Sequence, residues 1–202
     1  MTTSNSLSRN EIRHVIRQKR QSLDETTQQQ QSQRLASSLL NHPKVLAAQS
    51  IAIYLTNDGE LNTDKFIHAC WAQNIKTYLP VLHPFSKGHL LFLHYHEHTI
   101  MQRNKYHILE PKLNVLDVLP LEQLDIIFTP LVAFDKTGAR LGMGGGYYDR
   151  TLSKWYAQKA KTNKPYPIGL AHDFQQVETI PSEHWDIPIP EIITPNHQFK
   201  FY

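Results

Sequence analysis

"SIAIYLTNDGELNTDKFIHACWAQNIKTYLPVL", residues 50–82, sets the fold class. The run Ser50–Leu55 is apolar and β-branched, as a buried strand requires. "NDGE" at 57–60 is a turn, and "NTDKFIHACWAQN" follows as a helix with Asn62 or Thr63 near its cap. "KTYLPVL" at 76–82 is the next strand. Strand, helix and strand in that order form a β-α-β unit, so the two strands are expected to run parallel through a right-handed crossover.

Outward from this unit the pattern continues. "HLLFLHY" at 89–95 reads as a strand, "LDIIFTPLVAF" at 124–134 as an apolar strand ending in a loop, and "YPIGLA" and "EIITP" complete the sheet. A helix is expected near Tyr147–Lys159. Upstream, Ser8 and Glu11 have capping-box spacing for a first helix. Ile12, Val15 and Ile16 form its apolar stripe, with Arg9, Arg13, Arg17, Lys19 and Arg20 on the remaining surface. A second helix is expected from about Asp24 to Leu40, its "QQQQSQ" part solvated and Leu35, Ala36, Leu39 and Leu40 buried. With no internal repeat and no Pro/Gly linker, the chain reads as one α/β domain over 1–202, helices on both faces of the sheet. Two basic helices at about 8–41 pack on a core at about 50–195.

The 202 residues are 40% hydrophobic and 19% charged, a globular composition with room for a substantial core. The net charge of +3 suits a small anion as well as nucleic acid. Cys70 is the single cysteine, so an internal disulfide is excluded and a reducing compartment is expected. No apolar run approaches the roughly 20 residues of a membrane span. The polar N-terminus lacks a signal-peptide core, which points to the cytosol.

"RLGMGGGYYDR", residues 140–150, carries the chemistry. Glycines ahead of a helix let successive N–H groups converge on an anion, and the helix N-terminus adds partial positive charge. Arg140 and Arg150 add full charges, Arg140 with a fork suited to phosphate. A Walker A loop is excluded because no Lys-Ser/Thr pair follows. A Rossmann fingerprint is excluded because Tyr147 takes the third glycine's place and the strand ends near Thr129.

"PLVAFDKTGARLGMGGGYYDRTL" resembles the signature of the 5-formyltetrahydrofolate cyclo-ligase family, also called 5,10-methenyltetrahydrofolate synthetases. The resemblance spans nearly the whole chain. "RNEIRHVIRQKRQSL", "YLTNDGELNT", "LPVL" and "HWDIPIPEIITP" support it, and "LPVLHPFSKGHLLFLHYH" with "ILEPKL" resembles the gammaproteobacterial branch. The resemblance implies a three-layer α/β/α fold with a mostly parallel sheet, shared with sugar-phosphate isomerases and CoA transferases. It implies a cytoplasmic ligase of one-carbon metabolism that uses ATP and Mg²⁺ to close 5-formyltetrahydrofolate into 5,10-methenyltetrahydrofolate. The partners implied are ATP and the folate, with or without a polyglutamate tail, for a monomeric protein without membrane or nucleic-acid partners.

Carried over residue by residue, the resemblance places Arg9, Arg13, Arg140, Gly142, Met143, Gly144, Gly145, Gly146, Tyr147 and Tyr148 around ATP. Arg140 and Tyr148 are implied to be catalytic, Asp149 and Asp186 to hold Mg²⁺, and Leu55, Glu60 and Tyr147 to meet the folate. This chain departs from the family's pattern in three places. Arg9 stands where lysine is usual, and some relatives have a lysine at Gly145 and a basic residue at Met143, which shifts the phosphate role toward backbone donors and Arg140.

His94, His96 and His98 alternate along a strand end, yet no fourth zinc partner stands out. Trp71, Trp155, Trp185 and Cys70 read as packing residues. His172 and Asp173, adjacent on a strand, would point opposite ways and form no dyad. Two other functions fit the residues without the resemblance. One is a sugar-phosphate isomerase-like enzyme, the other a non-catalytic regulator that binds nucleotide or nucleic acid through its basic first helix.

Overall fold

A computed structural model describes residues 7–201. The N-terminal stretch 1–6 and residue 202, part of the expected 1–202 domain, lie outside the described residues. Helix α1 (Arg9–Gln21) begins at the expected capping box: the Ser8 amide donates to Glu11 at 2.8 Å and the Ser8 hydroxyl accepts from the Glu11 amide at 3.3 Å. Helix α2 (Glu25–Leu40) starts at Asp24, whose carboxylate accepts from the Thr27 amide at 2.9 Å. A short helix α3 (Pro43–Leu46) follows, then strand β1 (Ser50–Ala52), helix α4 (Asp64–Ala72) and strand β2 (Lys76–Leu82). Asn62 and Thr63 divide the start of α4 between them. The Asn62 side chain accepts from the Asp64 amide at 2.8 Å, while the Thr63 hydroxyl donates to the Tyr54 carbonyl at 2.7 Å.

Next come β3 (Leu90–Tyr95), a hairpin of β4 (Met101–Arg103) and β5 (Leu109–Pro111), and the two-residue strand β6 (Val118–Leu119). The stretch "LDIIFTPLVAF" is, as expected, a strand that ends in a loop. It forms β7 (Ile126–Pro130), then leaves the sheet, and β8 (Ala133–Phe134) pairs instead with β9 (Arg140–Leu141). Helix α5 (Tyr147–Gln158), β10 (Tyr166–Leu170), β11 (Glu191–Ile193) and β12 (Gln198–Lys200) complete the chain.

Eight strands form the main sheet in the order β12-β11-β10-β7-β1-β2-β3-β6. The five from β11 to β2 run parallel, and β12, β3 and β6 add antiparallel edges. Side chains alternate across it. Ile51, Leu79, Phe128 and Ile168 pack under Leu35, Leu39, Val45, Phe66 and Cys70 of α2, α3 and α4. Ala52, Tyr78 and Ile127 face the other way, under Leu152 and Trp155 of α5. The result is the expected three-layer α/β/α sandwich.

Three expectations on single side chains fail. Val15 is 39% exposed, because α1 buries only Ile12 and Ile16, against Val132, Ala133 and Leu141 of the β8–β9 hairpin. Arg20 is 1% exposed rather than on the surface, and Trp185 is 55% exposed rather than packed. The rings of His94, His96 and His98 follow one another at 5.4 and 6.1 Å, and no metal-holding group of three such side chains occurs among the described residues. No helix among the described residues is long and apolar enough to cross a membrane.

Candidate functional site

From β1 the chain moves outward to β2 on one side and to β7, β10 and β11 on the other. The switch point lies between β1 and β7, and ligands of open α/β sheets bind outside the carboxyl ends of the strands there. Two segments leave the sheet at this place. After β1, Leu55 leads into the 57–60 turn, where Asp58 and Gly59 take φ of 50° and 72°. After β7, the β8–β9 hairpin delivers Arg140, the glycine loop and the start of α5.

Arg140 is 4% exposed and sits at the centre of the loop side. Its Nη2 donates to Asp149 Oδ1 at 2.7 Å and its Nε to the Ile187 carbonyl at 3.2 Å. The Ile187 amide in turn donates to the same Asp149 oxygen at 3.2 Å. These three bonds join the "HWDIP" segment to the glycine loop, so Asp149 and Asp186 come from distant segments to one place. Asp186 is engaged at both oxygens. Arg9 Nη1 donates to Oδ2 at 2.5 Å, Arg9 Nη2 to Oδ1 at 3.0 Å, and the Glu183 amide to Oδ2 at 2.8 Å. Burial works to raise the Asp186 carboxyl, but these donors and the nearby Arg140 charge hold it below the ordinary aspartate range. Arg13 Nε donates to the Gly142 carbonyl at 2.9 Å, which ties α1 to the loop.

Within the loop Gly144 takes φ of 100°, and Gly146, the N-cap of α5, takes φ of 62°. A Cβ at Gly145 would stand 2.8 Å from the Tyr147 ring. Met143, Gly144 and Gly145 are exposed at the tip. Arg150 braces the loop from outside, donating to the Gly145 carbonyl and, at 3.0 Å, to the Gly88 carbonyl. The Tyr147 hydroxyl meets that of Tyr106 at 2.7 Å. Tyr106 lies between β4 and β5, where no sequence motif marks it.

On the other side, Leu55 packs half-buried on the core and Glu60 closes the turn. Glu60 accepts from the Asn57 amide at 3.2 Å and lies 3.9 Å from Arg20 Nη1. Burial raises its carboxyl against the pull of Arg20 and the Asn57 amide, leaving it at about 7. Tyr148 joins the two halves electrically: burial pushes its phenol up, Glu60 adds to that, and Arg140 opposes it. Tyr54, raised by burial and then by Glu60 and Tyr148, sits beside them. His172 is held down at about 4, chiefly by burial, and its Nε2 lies 3.1 Å from the Gly59 carbonyl. His172 and Asp173 do go separate ways, but at the start of a 3-10 turn rather than on a strand: Asp173 accepts from Thr194, Asn196 and His197.

The structure thus gathers Arg9, Arg13, Arg140, the loop 142–146, Tyr148, Asp149 and Asp186 through direct or neighbouring contacts, with Tyr147 on the outer rim. Leu55 and Glu60 reach the same end of the sheet from β1. Besides Tyr106, Arg20 and Asp58 carry no local sequence signal, because their pairing joins α1 to a turn far along the chain.

A buried guanidinium with two half-buried ones beside a glycine loop, at the switch point of a parallel sheet, defines an α/β enzyme built to handle an anion. The sequence model of the 5-formyltetrahydrofolate cyclo-ligase family matches residues 5–195, and the chain belongs to that family. It is 50% identical over 187 residues to the 5-formyltetrahydrofolate cyclo-ligase of Escherichia coli (strain K12), covering 93% of this chain and 100% of that protein. To that of Haemophilus influenzae it is 50% identical over 190 residues, covering 94% and 98%. The NMR structure of Aquifex aeolicus 5,10-methenyltetrahydrofolate synthetase matches at a TM-score of 0.78 and 26% identity, over 96% of this chain and 92% of that one. The Mycoplasma pneumoniae synthetase matches at 0.72 and 25%, over 94% and 100%. These relatives leave no support for the isomerase-like or regulator alternatives.

Proposed function

We propose that this chain closes 5-formyltetrahydrofolate to 5,10-methenyltetrahydrofolate while ATP becomes ADP and phosphate, as a monomer in the cytosol. Hydroxide is a poor leaving group from the N5-formyl carbon. Once the formyl oxygen carries the γ-phosphoryl group of ATP, N10 can attack that carbon and the oxygen leaves as phosphate. The protein's work is alignment and charge neutralisation.

Arg9, Arg13 and Arg140, with the amides of Gly142, Met143, Gly144, Gly145 and Gly146, cradle the phosphates in this reading. Arg140 and Tyr148 stand between the phosphates and the folate. Tyr148 keeps its proton, since burial raises its phenol, and can donate a hydrogen bond toward the reacting oxygen. Glu60 accepts from the pterin's amino and ring N–H groups, Leu55 lines the pocket, and Tyr147 with Tyr106 forms its outer rim.

Mg²⁺ would neutralise phosphate charge, and the two aspartates fit it unequally. Asp149 takes both protein bonds on Oδ1, which leaves Oδ2 for a cation. Asp186 is spanned by Arg9 and serves as a metal ligand only if Arg9 turns to the phosphates.

The observation that carries this reading is the Arg140–Asp149–Ile187 junction, which brings loop, helix start and the Asp186 segment together at the switch point shared with Glu60. Absorbance of the methenyl chromophore in the near ultraviolet tests it. With 5-formyltetrahydrofolate and Mg²⁺ the band should grow only when ATP is added. A flat trace from folded protein, with ATP and Mg²⁺ present, would refute the assignment.

A further inference from the structure

Helix α1 touches both halves of the site. Arg9 and Arg13 in its first turns reach Asp186 and the glycine loop, and Arg17 and Arg20 near its end reach the 57–60 turn. Residues eleven apart on a helix are about 16 Å apart along its axis, so one rigid element spans from the phosphate side to the folate side.

Arg20 is the unusual member. Its side chain is wholly buried, and a guanidinium keeps its proton even there, so the charge has to be met from within the protein. Nη2 donates to Asp58 Oδ2 at 2.6 Å. Asp58 also accepts from Arg17 at 2.7 and 3.2 Å and from Gln21 at 2.6 Å. One carboxylate therefore stands against two guanidinium groups. The second negative charge is Glu60, whose Oε1 lies 3.9 Å from Arg20 Nη1. That is within ion-pair reach but too long for a hydrogen bond. Nε and Nη1 of Arg20 have no hydrogen-bond partner among the described residues. A side chain so enclosed cannot touch substrate, so any effect it has on the folate passes through Glu60.

The groups facing Glu60 come from every element around it. Tyr54, just after β1, and Tyr148 at the start of α5 are buried phenols whose protons the Glu60 charge helps to hold. Asp58 on the same turn opposes its charge, and Arg20 on α1 supports it. His172 stays neutral against the Gly59 carbonyl, and Arg140 acts on the far side of Tyr148. Arg20 is the cation closest to Glu60 in this set.

We infer that Arg20 is a positioning residue for the folate: its buried charge keeps Glu60 a carboxylate aimed at the pterin, an inference that rests on Glu60 being the folate contact of the proposed function. Asp58 then acts as its counterweight, drawing part of Arg20 away from Glu60.

Affinity for 5-formyltetrahydrofolate, measured without ATP by titration calorimetry across the neutral pH range, tests this. Wild-type affinity should weaken as pH falls through about 7. In Arg20→Met the midpoint should rise by about one pH unit or more, the effect of losing an opposite charge at this distance. Arg20→Lys should bring it back toward wild type. Asp58→Asn should move it down, since it removes the competing carboxylate. A role confined to holding the turn would weaken binding equally at every pH in both variants. An unmoved midpoint in folded Arg20→Met, or a rise in Asp58→Asn, overturns the inference. If Arg20→Met does not fold, the direction in Asp58→Asn decides. Glu60→Gln separates the underlying reading: it should weaken binding and abolish the pH dependence, and wild-type affinity with an unchanged profile would remove Glu60 from the folate site.

Discussion

Arg140 links three chain segments through two bonds, one to Asp149 and one to the Ile187 carbonyl. Arg140→Met leaves Asp149 without its cation and the carbonyl without its donor. Breaking a buried pair costs about 3 kcal/mol where one partner keeps some solvent. For a chain of this length that is roughly 6–12 °C in melting temperature. Ring closure should slow further than the stability loss explains, by about 100-fold, the scale for losing one donor to developing charge. A melting scan and initial rates below the melting point read the two effects separately. Wild-type rates from folded Arg140→Met would remove it from the phosphate site. Such a residue is recognisable in sequence because the signature around it is specific. The engagement of Asp186 by Arg9 is not, because it joins the first described helix to a segment near the other end of the chain.

Among the elements, α1 is legible in outline, but the side it buries is not. Ser8 and Glu11 mark its start by local spacing, and Ile12 and Ile16 mark its buried face. Val15 and Arg20 exchange their expected places because burying an arginine depends on a carboxylate that local periodicity does not reveal. Val15→Lys should therefore change stability little, within about 0.5 kcal/mol, whereas Ile16→Lys should unfold or severely destabilise the protein in urea titrations. The glycine loop was legible for the opposite reason: Gly146 at φ of 62° is a conformation that only glycine adopts freely. A Cβ there would also stand 2.9 Å from Arg150 Nη1. Gly146→Ala should cost about 1 kcal/mol or more and weaken ATP binding when ATP itself is titrated calorimetrically. The β4–β5 hairpin gave no such signal. Its turn rests on the Asn104 side chain, which accepts from the Tyr106 and Ile108 amides, and on His107 at φ of 61°, so neither glycine nor proline announced Tyr106.

For the whole molecule, the parallel strands and their helices followed from the β-α-β unit at 50–82, whereas the strand order that creates the switch point depends on contacts between distant segments. Two buried groups beside that point give the folded state opposing pH dependences. His172, ordinarily near 6.5 and held at about 4, contributes stability that is full above 6.5 and lost as pH falls through 4. Glu60, ordinarily near 4.5 and raised to about 7, contributes stability that is full below 4.5 and lost as pH rises through 7. Urea unfolding at several pH values should thus show the deficit of His172→Asn against wild type shrinking between 6.5 and 4. Glu60→Gln should gain on wild type as pH rises from 4.5 to 7. In the proposed mechanism phosphoryl transfer and ring closure share one site at the switch point. Phosphate release and methenyl absorbance, followed in one reaction of purified protein with ATP, Mg²⁺ and 5-formyltetrahydrofolate, test it most directly. Equal amounts of both are expected at every time, and neither without the folate. Phosphate released at full rate without folate, or ring closure without phosphate, would contradict the mechanism.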